Sequence, residues 1–393
     1  MSMLRRSLGR LLGAALLATW ASLTAAQGSP LPRVDAVIDP AKSYWDAHVH
    51  YPFPHHFAKV SDTVGTEREL AYVDLYQGQP ARRDKAPVLV LIHGRTMHSG
   101  YWGQLIDAPL AAGFRVISID WTNTGKSLTR NLDKPLTRTL DDVRHMIHDL
   151  VARHLQIPKA HYLGHSLGGQ IVAGYALDYP QAVERLVLYA PGGLEGFKGS
   201  TPGLVARLAH KDWLFKLIWQ TRALPDIGED EEKVRGRFYG TRRHDAIPYL
   251  QPGKPLGQFI VASHAQALKG APGELERLRQ THAWDSLAAL LESGIDNPRA
   301  IRQRLHQLKV PTLLAFGLRD PAFPVPGTGN ESLLEDVVQP LARRAARAET
   351  PLQIKLYEQG GHFLHTDFPE QFSQDVIRFL TTGKVVDARQ PGL

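Results

Sequence analysis

The stretch "YLGHSLGGQ", residues 162–170, surrounds a single serine with small residues. Glycines stand two positions before Ser166, and two and three positions after it. Residues 159–166 have the apolar character of a strand, and residues 167–180 have helical spacing. A backbone that passes from strand to helix at one residue turns so tightly that only very small side chains fit beside it. The pattern therefore predicts a sharp turn at Ser166 rather than a glycine-rich loop with an idle serine.

The predicted turn would also prepare Ser166 for chemistry. A strained strand-to-helix junction lifts the hydroxyl clear of the sheet and directs it into a pocket. The backbone N–H of Leu167, at the start of the helix, is then free to face a developing oxyanion. The sequence predicts Ser166 as a nucleophile and Leu167 as one donor of an oxyanion hole.

The rest of the chain alternates between predicted strands and helices. Apolar runs predict strands at 68–78, 86–94, 113–120, 183–191, 310–320 and 352–362. Helical spacing is found at 137–155, 330–348 and 369–383. Such alternation requires crossover connections, so it predicts an α/β fold with a mostly parallel central sheet flanked by helices.

The alternation is interrupted once, between residues 192 and 308, where helical spacing occurs without strands. We expect this segment to form a helical cap over the carboxyl edge of the sheet, inserted before the strand that ends in an acid. The core is predicted to comprise residues 66–191 and 309–393. Residues 27–65 are rich in Pro and His without clear periodicity, and are expected to form an irregular arm on the surface.

The first 26 residues have the order of a secretory signal peptide. Three arginines precede a short apolar run and a small-residue site ending at Ala26. The alternative is an uncleaved anchor, but the apolar run is short and diluted by Ser and Thr. Removing residues 1–26, which contain no acidic residue, lowers the net charge from +7 to +4. We expect an exported protein, periplasmic or secreted, that has no later membrane span and does not bind nucleic acid.

A serine nucleophile needs a base, and the base needs an acid to orient it. Asp320 and His362 each follow a predicted strand, in the chain order Ser, Asp, His. We predict that these three residues form a catalytic triad, with Asp245 as the rival acid. The two glycines before His362 are expected to place it on a mobile, exposed loop. Asp367 is expected to be a surface residue at a helix start.

The loop after the first long strand should supply the second oxyanion donor. In "LIHGRTMHSGYW", residues 91–102, the N–H of Arg95 follows a glycine and is the predicted donor. His93 is expected to brace this loop through hydrogen bonds. Tyr101 and Trp102 could either line the substrate pocket or belong to the core. Phe363, next to His362, is a further candidate for substrate contact.

These motifs together resemble the α/β-hydrolase superfamily, and in particular its lid-bearing esterase and lipase-like members. The matching segments are "HGRT", "DWTNTGKS", "GHSLGG", "GLRD" and "GGH". The resemblance implies a serine hydrolase that acts on an ester or related acyl bond. The chain has Asn123 where the family commonly has the first glycine of D-x-x-G-x-G-x-S, and Asn tolerates left-handed backbone angles.

The sequence therefore predicts hydrolysis of a small, apolar ester through an acyl-enzyme on Ser166, without a cofactor or metal. Amide hydrolysis, C–C hydrolysis and perhydrolysis remain open, because the same triad serves them all. A non-catalytic binding protein on this fold is the remaining alternative. The histidines of "WDAHVHYPFPHH", residues 45–56, could bind a metal, but are expected to belong to the surface arm.

Overall fold

The computed structural model describes residues 53–95, 97–127, 139–195, 288–289, 292–293, 297–324 and 330–389. The predicted signal peptide lies outside these residues, as do most of the predicted cap and the rival acid Asp245.

Eight strands form one sheet in the part of the chain that the structure describes. They are β1 (His56–Ser61), β2 (Glu67–Leu75), β3 (Val88–Ile92), β4 (Arg115–Asp120), β5 (Ala160–His165), β6 (Val183–Tyr189), β7 (Thr312–Gly317) and β8 (Leu352–Tyr357). Their order across the sheet is β1-β2-β4-β3-β5-β6-β7-β8. The strands β3 to β8 run parallel to one another, and β2 pairs antiparallel with both β1 and β4 near one edge of the sheet. The predicted fold class is confirmed.

The central strands lie between layers of helices. Every residue of β4, β5 and β7 is buried, as expected for continuous apolar runs covered on both faces. The edge strand β1 instead alternates, with Ala58 and Val60 inward and Phe57 and Lys59 outward.

The helices connect these strands across both faces. They are α1 (Gln104–Ala111), α2 (Leu140–His148), α3 (Leu167–Asp178), α4 (Ile301–Arg304), α5 (Gln339–Arg347), α6 (Leu364–Asp367) and α7 (Pro369–Thr382). Two π-helical segments, Asp149–His154 and Leu333–Val338, adjoin α2 and α5, and short 3₁₀ turns lie at Pro80–Lys85, Gly125–Ser127, Pro180–Ala182 and Leu305–Gln307. A capping box between Thr139 and Asp142 begins α2.

The prediction that residues 27–65 form an irregular arm was wrong for the carboxyl end of this segment. Residues 56–61 form β1, which pairs with β2 from His56–Tyr72 to Ser61–Glu67. The hairpin turn between the strands is closed by Asp62, whose side chain accepts the N–H groups of Val64 and Thr66. Only two apolar residues of this short edge strand face inward, too few for a clear alternating pattern in the sequence.

Among the residues that the structure describes, none of the helices combines the length and the apolar character needed to cross a bilayer. The described strands β3 to β8 end at one common edge, and the residues that follow them form the candidate site.

Candidate active site

Ser166 is the junction between β5 and α3. Its backbone has φ +57° and ψ −123°, a conformation that is strained for any residue with a Cβ atom. The junction is held by hydrogen bonds: the Ser166 N–H donates to the carbonyl of Tyr189 (2.9 Å), and the Ser166 carbonyl accepts from the N–H groups of Gly192 (3.0 Å) and Gln170 (3.2 Å). The predicted sharp turn is therefore present, and it is fixed by the end of β6.

The small residues around Ser166 are required by the packing of this turn. A Cβ atom on Gly164 in β5 would overlap the backbone carbonyl of Gly168 in the first turn of α3. A Cβ atom on Gly168 would overlap the carbonyl oxygen of Ile92 at the end of β3. The glycines thus let the start of α3 lie directly against the neighbouring strands.

His362 and Asp320 form a hydrogen-bonded pair at the ends of β8 and β7. The Nδ1 atom of His362 lies 2.8 Å from Oδ2 of Asp320. The Asp320 side chain is fully buried, and its Oδ1 atom accepts the N–H of Ala322 at 2.8 Å. Since a carboxylate accepts the Nδ1 proton, the Nε2 atom of a neutral His362 carries the lone pair that a general base needs.

The strand that carries Ser166 packs directly against His362. The ring of His165, the residue before the serine, lies 4.6 Å from the His362 ring between centroids. The Nε2 atom of His165 is 2.9 Å from the His362 carbonyl oxygen. The nucleophile candidate and the base candidate therefore belong to adjoining segments.

The loop after β3 approaches Ser166 from another side. A Cβ atom on Gly94 would be 2.9 Å from the Ser166 Cβ, so the backbone entering Arg95 passes very close to the serine. His93 is completely buried and binds the Gly94 carbonyl (2.8 Å, Nδ1) and the Thr124 hydroxyl (3.0 Å, Nε2). Burial lowers the pKa of His93 to about 4, despite the opposing effect of Asp120.

A second loop braces this region through Asp120, at the end of β4. Its carboxylate accepts the N–H groups of Ser99 (2.5 Å) and Lys126 (2.8 Å). Asn123 has φ +67°, the left-handed conformation that the sequence predicted it would tolerate in place of glycine.

Comparison with known proteins points to the same fold family as this geometry. Residues 87–369 match the profile of the family described as having the alpha/beta hydrolase fold. The chain belongs to the α/β-hydrolase family. It is thus a hydrolase of this superfamily. The sequence motifs had predicted both the superfamily and the hydrolase class.

Two bacterial relatives of this α/β-hydrolase are named as hydrolytic enzymes. One, from Paraburkholderia phymatum, is a 2-hydroxy-6-oxononadienedioate/2-hydroxy-6-oxononatrienedioate hydrolase, 33% identical over 80% of this chain and 92% of its own length. The other, from Nitrosomonas europaea, is a pimeloyl-[acyl-carrier protein] methyl ester esterase, 26% identical over 73% of this chain and 92% of its own.

A solved structure shares the fold of this α/β-hydrolase. It is a probable hydrolytic enzyme from Pseudomonas aeruginosa, with a TM-score of 0.59 and 23% identity over 84% of this chain and 95% of the other.

The chain also matches 1-acylglycerol-3-phosphate O-acyltransferase from Arabidopsis thaliana at 26% identity, and the match covers 66% of that longer protein.

Three aromatic residues predicted as candidates for substrate contact are all buried in this hydrolase. Trp102 has no exposed surface, Phe363 is 1% exposed, and Tyr101 is 5% exposed. Tyr101 packs on Trp102, and its hydroxyl lies 2.7 Å from Nδ1 of His165. The rings of Tyr101 and Trp102 thus belong to the packed core beneath the site, and their contact with a substrate stays a prediction.

Two expectations about the His362 loop were wrong. His362 is not on an exposed loop, since it is 3% exposed and both preceding glycines are buried. A Cβ atom on Gly317 would overlap the backbone of Gly360 and Gly361, so these glycines serve close packing of β7 against the loop. Asp367 is also buried rather than on the surface, and its carboxylate accepts the Gly361 N–H at 2.7 Å.

Phe323 is a site residue that sequence reasoning missed. It lies three residues after Asp320, its ring centroid is 5.4 Å from that of His362, and it is 8% exposed. A single aromatic residue in a Pro-rich loop gives no periodic signal, so only its position just after the acid could have indicated it.

Among the described residues, no group of three or more His, Cys, Asp or Glu side chains is arranged to hold a metal ion.

Proposed function

We propose that this protein is a serine hydrolase that cleaves a carboxylic ester, or a related acyl bond, of a small apolar substrate. Ser166 is the nucleophile, His362 is the general base and acid, and Asp320 is the acid of the triad. The apolar character of the substrate is supported by Phe323, which is 8% exposed and whose ring lies 5.4 Å from that of His362.

The proposed reaction has two stages. In the first, the Ser166 hydroxyl oxygen adds to the ester carbonyl while Nε2 of His362 removes its proton. The tetrahedral oxyanion is stabilised by the N–H groups of Leu167 and Arg95. The bond to the alcohol then breaks, the alcohol leaves with the proton from His362, and an acyl-serine remains. In the second, His362 removes a proton from water, and the hydroxide oxygen adds to the acyl carbonyl. The bond between the acyl carbon and the Ser166 oxygen then breaks, the carboxylic acid leaves, and His362 returns its proton to Ser166.

Asp320 contributes by fixing the Nδ1 proton of His362 and by stabilising the imidazolium that forms in each stage. Its complete burial strengthens this interaction, because a charge pair in a low-dielectric environment is weakly screened.

The observation that carries the proposal is the strained Ser166, whose neighbour His165 packs on the buried, hydrogen-bonded His362–Asp320 pair. The test is a panel of p-nitrophenyl esters from acetate to decanoate, assayed with the wild type and with Ser166→Ala. The proposal predicts turnover that depends on acyl length, and a loss in Ser166→Ala of about 10⁶-fold in kcat. A folded wild type that turns over none of the esters would contradict ester hydrolysis.

Hydrolysis of a C–C bond next to a carbonyl is the second candidate. The relative from Paraburkholderia phymatum, at 33% identity, is named as a hydrolase of 2-hydroxy-6-oxononadienedioate or 2-hydroxy-6-oxononatrienedioate. Spectroscopic assay with a vinylogous 1,5-diketone, run beside the ester panel, separates the two. Faster cleavage of the diketone than of every ester would favour this second candidate.

We also propose that the chain is exported after cleavage following Ala26. The support is the order of three arginines, a short apolar run and a small-residue site in residues 1–26. The intact mass of the protein from a secretion-competent bacterial host tests this. A mature chain beginning at Gln27 is expected, and a full-length chain in the cytoplasm would contradict export.

A further inference from the structure

A chain of buried polar groups lies beneath the proposed triad. The Tyr101 hydroxyl is 2.7 Å from Nδ1 of His165, and Nε2 of His165 is 2.9 Å from the carbonyl oxygen of His362. His165 has no exposed surface, and Tyr101 and His362 are almost fully buried. The proposed reaction, in which the His362 imidazole does the proton transfer, uses neither Tyr101 nor His165.

The direction of these hydrogen bonds follows from the chemistry of the groups. A carbonyl oxygen only accepts, so the proton of His165 resides on Nε2 and is donated to His362. A neutral imidazole carries one proton, so Nδ1 of His165 is a lone pair that accepts the Tyr101 hydroxyl proton. The donation therefore runs from Tyr101 to His165 and on to the backbone of His362.

His165 remains neutral in this environment. Burial is the main cause that lowers its pKa well below the usual value, and the adjacent His362 and His365 lower it further. The other titratable groups around it are Tyr101 and Tyr189, which pack on its ring, and the more distant His93.

His165 connects the proposed nucleophile to the proposed base because of its position in the chain. His165 is the last residue of β5 and directly precedes Ser166. Its ring stacks on Tyr189 at 4.2 Å, with 29° between the ring planes, so its orientation is held from the β6 side as well. One rigid side chain thus connects the strand that presents the proposed nucleophile to the backbone that presents the proposed base.

We propose that His165, oriented by Tyr101, is a positioning residue that sets the His362 imidazole relative to Ser166. It does so as a neutral hydrogen-bond donor, and therefore adds no charge against the imidazolium that forms on His362. This inference rests on the proposed function, because it assigns His362 the role of base.

Two substitutions of His165, one conservative and one disruptive, separate its hydrogen bonding from its bulk. His165→Gln keeps an N–H donor at a similar reach from the backbone, whereas His165→Leu has similar bulk and can make no hydrogen bond. His161→Leu is the matched control, since His161 is buried at the opposite end of the same strand and its Nδ1 atom has no hydrogen-bond partner.

The first readout is steady-state kinetics on the ester that the wild type turns over fastest. We expect His165→Leu to lower kcat by about 10²-fold with KM within about twofold, because displacement of a reacting group by about 1 Å costs that much. His165→Gln should recover at least about tenfold of this loss, and Tyr101→Phe should lose about tenfold, since it removes only the hydroxyl that orients His165. His161→Leu should retain the wild-type kcat.

The second readout does not depend on turnover. The His362 Nδ1 proton, shared with Asp320, should give a resolved far-downfield proton resonance in the wild type, in His165→Gln and in His161→Leu. It should shift and broaden in His165→Leu. Circular dichroism and thermal unfolding confirm that each variant is folded.

Two results would overturn the inference. One is a His165→Leu variant with wild-type kcat and an unchanged His362 resonance. The other is an equal loss of kcat in folded His165→Gln and His165→Leu, which would show that ring packing matters and the hydrogen bonds do not. A wild type without activity on any ester or diketone would instead refute the proposed function, while the resonance comparison would still decide whether His165 positions His362.

Discussion

The imidazole of His362 meets the carboxylate of Asp320 at 2.8 Å, although the two residues are 42 positions apart in the chain. They are brought together because β7 and β8 are parallel neighbours that end at the same edge of the sheet. The backbone N–H of Arg319, next to the acid, donates to the carbonyl of Gly360, two residues before the base, at 2.9 Å. The separation of the two side chains is thus set by main-chain hydrogen bonds as well as by their own.

Replacing Asp320 with Asn should reduce kcat on an ester substrate by about 10⁴-fold with little change in KM. The amide cannot stabilise the imidazolium, and its N–H₂ group favours the wrong tautomer of His362. Initial rates over a range of substrate concentrations measure both constants. Asp84→Asn is a matched control, since its side chain is 87% exposed, and it should leave kcat unchanged. An Asp320→Asn enzyme within tenfold of the wild type would show that another acid completes the triad.

Replacing Gly94 with Ala should reduce kcat by about 10²- to 10³-fold, the effect of losing one oxyanion donor. The added methyl group would lie 2.9 Å from the Ser166 Cβ and force the loop that carries the Arg95 N–H away from the serine. The fold should survive because the change is at the site edge, and thermal unfolding checks this. A variant with normal kcat would place the oxyanion donor elsewhere.

Replacing Gly164 with Ala should destabilise the protein by about 1–3 kcal/mol, because its Cβ atom would overlap the Gly168 carbonyl. Gly192→Ala is the control, as its Cβ atom would meet only side-chain atoms at ordinary contact distances, from 3.5 Å. Urea unfolding followed by circular dichroism gives both values. Equal stability of the two variants would mean that the packing of α3 against β5 is not close.

Replacing Arg144 with Met should lower the free energy of unfolding by about 3–5 kcal/mol. Arg144 is 1% exposed in its side chain and bonds both oxygens of the buried Glu292, at 2.6 and 2.8 Å, so its loss leaves a buried carboxylate unpaired. The exposed pair of Arg153 and Asp149 provides the contrast: Arg153→Met should cost about 1 kcal/mol or less. Similar losses in the two variants would contradict the burial of the Arg144–Glu292 pair.

The buried histidines predict how stability depends on pH. Burial lowers the pKa of His93 and of His161 to about 4 from 6.5, so the unfolded chain binds more protons between these values. Their contribution to stability is complete above about pH 6.5 and is lost as the pH falls toward 4. Between pH 7 and pH 5, His161→Gln should lose about 2 kcal/mol less stability than the wild type. Parallel losses, measured by urea unfolding at both pH values, would show that His161 titrates normally.

Much of the fold could be predicted from local patterns. The runs of apolar residues at 86–94, 113–120 and 310–320 each became a buried strand, since burial on both faces leaves a continuous signal. The edge strand β1 was not predicted, because it is short and buries only two apolar residues.

In the candidate site, too, some features could be predicted from local sequence patterns and others could not. Ser166, Asp320 and His362 could be selected because each follows a strand whose end the sequence marks. The burial of the His362 loop could not, because the close approach of Gly317 to Gly360 and Gly361 joins segments distant in the chain. The link from His165 to the His362 carbonyl escaped prediction for the same reason, since a backbone acceptor has no signature in the sequence.

The most direct test of the central claim is labelling with a fluorophosphonate probe, followed by peptide mass spectrometry. We expect one label, on Ser166, in the folded wild type, no label in Ser166→Ala, and labelling slowed by orders of magnitude in His362→Ala. A folded wild type that stays unlabelled, or a label on any other residue, would contradict it.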